Sequence, residues 1–275
     1  MGRKVFKAVI PAAGRGMRMR PFSLVLPKEM MPLGRKPMIQ FAVEEAVAAG
    51  IHEVCIVIRR GKEIIKDYLL KGTLHGSDGF ERVLRSCRLT FAYQKKWDGL
   101  GGALWVARTF VGRDPFLMII PDQLFHSRSR SPSQQLLSRY QFTHPVVLSS
   151  MVKIPKREIS YFRGSKGFVL AGGRSHGSKA EPISRILSDA ETSRSFLNRA
   201  YEIRGFGRTI FPAAIFAYLD QRYINPRSGE IDLSRTFKEF PKKFPNYGYL
   251  LIGRACDLGS WAGYCHYLPF FLRDS

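Results

Sequence analysis

The chain has 275 residues, 45% hydrophobic and 24% charged, a globular balance with length enough to bury a full core. Lys and Arg number 44 against 22 Asp and Glu, a formal net charge of +22, but the cations are scattered (Arg59-Arg60-Lys62, Lys95-Lys96, Lys153-Lys156-Arg157, Lys242-Lys243). Without a recognition-helix, RNP or zinc-finger signature, specific nucleic-acid binding is set aside for a solvated basic surface, and without a membrane-length apolar run or a signal peptide a cytoplasmic protein is expected.

VFKAVIP (Val5 to Pro11) is apolar and bounded by turn residues, which predicts a strand. It leads directly into AAGRGMRMRPFSLVLPKEMMPL (Ala12 to Leu33), a glycine-rich turn carrying Arg18, Arg20 and Lys28. Met38 to Ala49 has amphipathic helical periodicity and stops at Gly50. Val54 to Ile58 predicts a strand, Ile64 to Leu70 a helix, Leu89 to Tyr93 a strand and Gly101 to Phe110 a helix. Phe116 to Ile120 is another apolar strand, stopped by Pro121 and Asp122; Ser133 to Phe142 follows as a helix and Val146 to Met151 as a strand. From Pro155 to Arg204 the pattern weakens, although Gly164 to Pro182 suits a strand-turn-strand excursion. A last helical segment is expected around Trp261 to Phe271. Strands separated by helices predict an α/β fold with a Rossmann-like, doubly wound, mixed but mainly parallel sheet. Ligands gather at the carboxyl ends of such strands, where the glycine loop and Asp122 both fall.

A glycine loop after a strand lets backbone amides approach phosphates, because glycine has no Cβ to block them. Neither common template fits: no Gly-Lys-Ser/Thr follows Gly16, and no third glycine comes before Gly34. On glycine spacing alone an ordinary turn is about as good a reading. Pro27 to Pro32 adds to the signal, because a lysine between prolines sits on a rigid, extended backbone that can aim its ammonium. Asp122 and Asp257, the latter in ACDLGSW, are each open to a plain turn role. Cys55, Cys87, Cys256 and Cys265 form no C-x-x-C pair, so a buried free thiol at Cys55 is the better reading than a zinc site.

At GRGMRMRPFSLVLPKEMMPL the chain resembles the sugar-phosphate nucleotidyltransferases, above all bacterial UTP–glucose-1-phosphate uridylyltransferases, where G-x-G-T-R-x-x-P precedes P-K-E-M-L-P-L. The likeness continues at Lys36 to Val54, Gly99 to Phe125 and Cys256 to Tyr264, in family order. It implies a fold of the nucleotide-diphospho-sugar transferase type in one domain over 1–275, with a nucleotide-binding half (1–150) and a sugar-binding lobe with a C-terminal helical segment (151–275). The implied reaction is Mg²⁺-dependent transfer from UTP to a sugar-1-phosphate, glucose-1-phosphate first, in an enzyme that is a homo-oligomer and contacts no membrane. Arg18 and Lys28 are the implied catalytic cations, and Asp122 with Asp257 the implied metal ligands. Ala12, Ala13, Gly14, Gly16, Gln94, Gly99 and Gly101 are the implied nucleotide contacts.

The chain also departs from the family pattern. Met17 replaces the loop threonine, and Val25 stands where a lysine or similar polar residue is common. The Glu-Lys-Pro that binds sugar hydroxyls and sugar phosphate is absent; Arg185 to Phe211 occupies its place, offering Asp189 for the Glu and Arg185, Arg194 or Arg199 for the Lys. Arg does not simply substitute for Lys at tight phosphate sites. A homologue that binds nucleotide or nucleotide-sugar and acts through a partner is therefore the alternative.

Overall fold

A computed structural model describes residues 4–71, 79–162, 167–170, 180–187, 189–219, 229, 231, 233 and 244–272. β1 (Lys7–Pro11) leads through short 3-10 turns and the hairpin β2 (Pro32–Leu33) and β3 (Lys36–Pro37) into α1 (Met38–Ala48). The alternation continues with β4 (Glu53–Ile58), α2 (Glu63–Lys71), α3 (Phe80–Arg85), β5 (Arg88–Tyr93), α4 (Gly99–Val106), α5 (Arg108–Val111) and β6 (Phe116–Ile119). In this half the sheet is parallel in the order β5-β4-β1-β6. Successive side chains of a strand point to opposite faces, and here both faces are covered. Ala8, Ile10, Val54 and Ile56 pack with Met38, Ile39, Ala42 and Val43 of α1. Val9, Cys55 and Val57 pack with Ala103 and Leu104 of α4 on the other side. Cys55 is a buried free thiol, pushed up to about 12 by burial.

The second half adds β7 (Gln123–His126), α6 (Pro132–Leu137), β8 (Val147–Pro155), β9 (Gly167–Leu170), β10 (Glu181–Leu187), α7 (Asp189–Ser195), β11 (Tyr201–Phe211), β12 (Asn246–Leu250), β13 (Arg254–Asp257) and α8 (Trp261–Leu272). The nine-stranded sheet runs β5-β4-β1-β6-β11-β8-β12-β10-β9, so a single sheet passes through both halves. β11 is antiparallel to β6 and β8, β8 and β12 are parallel, and β9 and β10 form an antiparallel pair. The sheet is thus mixed, its parallel character concentrated in the N-terminal half. The excursion expected after Gly164 yields β9 and β10; residues 171–179 between them lie outside the described residues.

Several elements differ from expectation, β8 among them, which runs on to Pro155. The helix predicted from Gly101 starts at Gly99 and breaks at Ala107 into two pieces. Helix α6 begins at Pro132 behind a Ser131–Gln134 capping box but ends at Leu137, five residues before Phe142. Beyond it Phe142 packs at a tilt on Tyr247, 4.7 Å between ring centroids, a tertiary contact that competes with helical continuation. β11, the longest strand among the described residues, begins inside the stretch whose pattern weakens and runs on past it to Phe211, with its charges buried in pairs: Arg204 meets Glu202 at 2.7 Å, and fully buried Arg208 forks onto Glu45 of α1 at 2.6 and 2.8 Å. Among the described residues no helix is long and apolar enough to cross a membrane.

Candidate active site

The carboxyl ends of β1, β4, β5 and β6 open into a cavity of about 1230 Å³. Its near wall is the glycine loop. Gly16 takes φ +66°, and a Cβ there would stand 2.9 Å from the Ser23 Cβ, so this turn requires glycine. Ser23 Oγ closes the turn by donating to the Gly16 carbonyl at 2.7 Å. The PKEMMP segment lies behind the loop and is pinned from two directions. Tyr264 of α8 donates to the Pro32 carbonyl at 2.6 Å. Lys62 Nζ, buried, donates to the Ala12 carbonyl at 2.8 Å and to Glu29 at 2.7 Å, joining loop to segment. Burial holds the Lys62 ammonium below its usual range, although Glu29 opposes this.

Lys28 points back from the same segment onto Asp122 at 2.6 Å. Burial lowers its affinity for a proton, but the charges of Asp122 and Glu29 overcome that and raise it, so Lys28 is a firm cation. Asp122 follows β6 and is 3% exposed. Burial alone would push its carboxyl up; Lys28 and then Arg18 pull it below the ordinary carboxylate value.

Asp257 comes to the same place through the two-stranded pairing of β13 with β7, which sets Asp257 opposite Gln123. Leu258 N–H donates to the Asp122 carbonyl at 2.8 Å, locking the two segments together. Asp257 Oδ1 accepts from the Gly259 N–H at 2.9 Å and Oδ2 from Gln123 Nε2 at 3.1 Å. A Cβ at Gly259 would stand 2.4 Å from Asp122 Oδ2 and 3.1 Å from both Asp257 Oδ1 and the Arg18 guanidinium. Two carboxylates and an arginine therefore converge where the backbone carries no side chain. Burial first, and then the charge of Asp122, push the Asp257 carboxyl up to about 6. An oxygen-only pair of carboxylates suits Mg²⁺; among the described residues there is no cluster of three or more His, Cys, Asp or Glu that could hold a metal.

The opposite wall is the segment from Tyr93 to Ala103. Gln94, buried at the end of β5, donates from Nε2 to Asp98 and to the Gly99 carbonyl at 2.9 Å. Of the residues singled out in the sequence, Ala13, Gly14, Gly16, Arg18, Lys28, Gln94, Gly99, Asp122 and Asp257 all line the cavity. Ala12 and Gly101 do not. Ala12 is buried beneath the loop, bonded through its carbonyl to Lys62 and through its N–H to Val57 at 2.7 Å. Gly101 is packed into the core, where a Cβ would meet Ile231 at 2.7 Å. The two arginines expected on the sugar side are also elsewhere: Arg185 is exposed on β10 and paired with Glu191 at 2.9 Å, and Arg199 stacks on Phe196. The side chain of Asp189, at the start of α7, lies outside what is described. Gln123, Lys62 and Gly259 were not singled out, because each acquires its place through long-range pairing.

Residues 7–161 match the family model described as nucleotidyl transferase. A UTP–glucose-1-phosphate uridylyltransferase of Staphylococcus saprophyticus is 30% identical over 98% of this chain and 94% of its own length. One from Bacillus subtilis is 30% identical over 99% and 93%. A crystal structure of UDP-glucose pyrophosphorylase in complex with UDP-glucose superposes with a TM-score of 0.80 at 26% identity, covering 98% of this chain and 100% of that one.

Proposed function

The chain belongs to the nucleotidyl transferase family, and from that premise we propose that it moves the uridylyl group of UTP onto glucose-1-phosphate, yielding UDP-glucose and pyrophosphate, with Mg²⁺ as its cofactor. The observation that carries this reading is the convergence of Asp122, Asp257 and Arg18 around Gly259, with Lys28 on Asp122 and the glycine loop beside them.

Nucleotidyl transfer brings two polyanions together. A sugar-phosphate oxygen attacks the α-phosphorus in line, the bond to the bridging oxygen breaks, and pyrophosphate departs with its electron pair. Positioning and charge neutralisation meet that difficulty without a covalent enzyme intermediate. Lys28 is the cation for the α-phosphate, since it stays protonated and its segment is clamped by Lys62 and Tyr264. Arg18 meets the β- and γ-phosphates, and Gly14 and Gly16 let the backbone close on them. Gln94 keeps its Nε2 on Asp98 and Gly99, which leaves Oε1 to accept from the uracil N3–H. Asp122 and Asp257 would hold Mg²⁺, which when bound supplies positive charge to phosphate oxygens.

The test is pyrophosphate release on mixing the protein with Mg²⁺, UTP and glucose-1-phosphate. Sugar-dependent release is expected; silence across a panel of sugar-1-phosphates and nucleotides, with UTP binding intact, contradicts enzymatic transfer. That second outcome is the signature of a nucleotide-binding homologue working through a partner, a reading favoured by one observation: none of Arg185, Arg194 and Arg199 is among the described residues that line the cavity.

A further inference from the structure

The cavity carries cations beyond those given roles above. Arg15, inside the glycine loop, and Arg59, directly after β4, both stack on the indole of Trp97, their guanidinium carbons 3.7 and 4.2 Å from the ring centroid. Trp97 lies between β5 and α4, three residues past Gln94, and is 46% exposed. All three residues line the same cavity as Lys28 and Gln94. Among the described residues neither guanidinium is paired with a carboxylate, and Arg59 Nε is buried without a hydrogen-bond partner.

Two like charges gathered at one ring repel each other, while the face of the indole attracts both. A guanidinium held over an aromatic face still offers N–H groups, the fork that matches phosphate oxygens. The three residues also come from different walls of the cavity. Arg15 belongs to the loop, whereas Arg59 and Trp97 follow β4 and β5, so the stack ties the loop to the base-reading segment.

We propose that Arg15 and Arg59, gathered on Trp97, receive the terminal phosphates of the nucleoside triphosphate, the part released as pyrophosphate, and that Trp97 is the positioning residue that aims them. The proposal rests on the nucleotidyl-transfer reading for its ligand. Its consequence is a contribution that grows with the number of phosphates. A nucleobase laid on the exposed indole would instead contribute equally whatever the phosphate count, and a neutral base gives the two uncompensated guanidiniums nothing to meet.

Calorimetric titration of UMP, UDP and UTP at fixed Mg²⁺ into the wild-type protein, Trp97→Ala, Trp97→Phe and Arg15→Gln separates these cases. Loss of two cation–π contacts should weaken UTP roughly tenfold in Trp97→Ala, with UDP affected less and UMP changed by less than about twofold. Trp97→Phe should recover part of the loss. Arg15→Gln should reproduce its direction and flatten the salt dependence of UTP binding. Thermal melts should match wild type, because the indole is half exposed. Equal weakening of all three nucleotides, or UTP affinity unchanged in both Trp97→Ala and Arg15→Gln, overturns the proposal. Failure of the wild-type protein to release pyrophosphate from UTP and glucose-1-phosphate faults the transfer reading alone, since the stack is judged on binding.

Discussion

Replacing Asp257 with Asn should make the metal-free protein more stable while destroying its turnover. Burial and the charge of Asp122 raise the Asp257 carboxyl from the ordinary 3.8 to about 6 in the folded chain. The folded state therefore holds a proton that the unfolded state has released between those two values, and stability falls as pH rises through that window. The cost is absent below the unfolded value and complete above about 6. At about 1.4 kcal/mol per pH unit it amounts to about 3 kcal/mol at neutral pH. An Asn keeps an oxygen for the Gly259 N–H but sets its amide against Gln123 Nε2, a mismatch worth about 1 kcal/mol. A net gain of about 2 kcal/mol is expected at pH 7.5 in EDTA, read from urea unfolding midpoints, and most of it should vanish near pH 4.5. Mg²⁺ should narrow the gap by stabilising the wild-type protein selectively. A variant no more stable than wild type at pH 7.5, or a gain independent of pH, refutes the electrostatic reasoning.

Asp122→Asn should act with the opposite sign, because it strips Lys28 of its 2.6 Å partner; a loss of roughly 1–3 kcal/mol by denaturant unfolding is expected, together with loss of turnover. Near-normal turnover in that variant contradicts the assignment of Asp122 to the metal. Lys28→Ala should lower kcat by roughly 10²–10³-fold, the scale of removing one electrostatic contact to a developing charge. A rise in KM for UTP with kcat intact would show that Lys28 only binds. Arg208→Met leaves Glu45 without its fork and should cost roughly 3–5 kcal/mol, only part of it recovered by pairing it with Glu45→Leu, which takes the acceptor from the Ser133 N–H and hydroxyl. Equal unfolding midpoints for Arg208→Met and wild type would show that the pair does not hold α1 to β11.

The N-terminal half was readable because its signals are local. Past their first, charged residues β1 and β4 are apolar runs, and α1 repeats its buried positions with helical spacing. The glycine loop and the lysine between prolines announce themselves within one short segment. The second half hides its order because its strands carry charge. Arg208 reads as a surface residue until Glu45, on a helix 163 positions earlier, is known to meet it. The same holds for the site: Asp122 and Asp257 are each ordinary turn aspartates, and only the β7–β13 pairing sets Asp257 across from Gln123, 134 residues away. Family resemblance put them together where spacing could not. Ala12 and Gly101 also fit the motif, and the backbone sets one under the loop and the other against the core, a placement that the motif alone does not reveal. Arg15 sits at the variable position of the glycine loop and Arg59 and Trp97 carry no motif; their meeting depends on where β1, β4 and β5 end.

Attack at the α-phosphorus of UTP is tested most directly by following labelled phosphates. With α-labelled UTP, glucose-1-phosphate and Mg²⁺, the label should appear in UDP-glucose, and with γ-labelled UTP it should leave as pyrophosphate. Label from the γ-position in orthophosphate or on the sugar, with none from the α-position in a nucleotide-sugar, would contradict nucleotidyl transfer at this site.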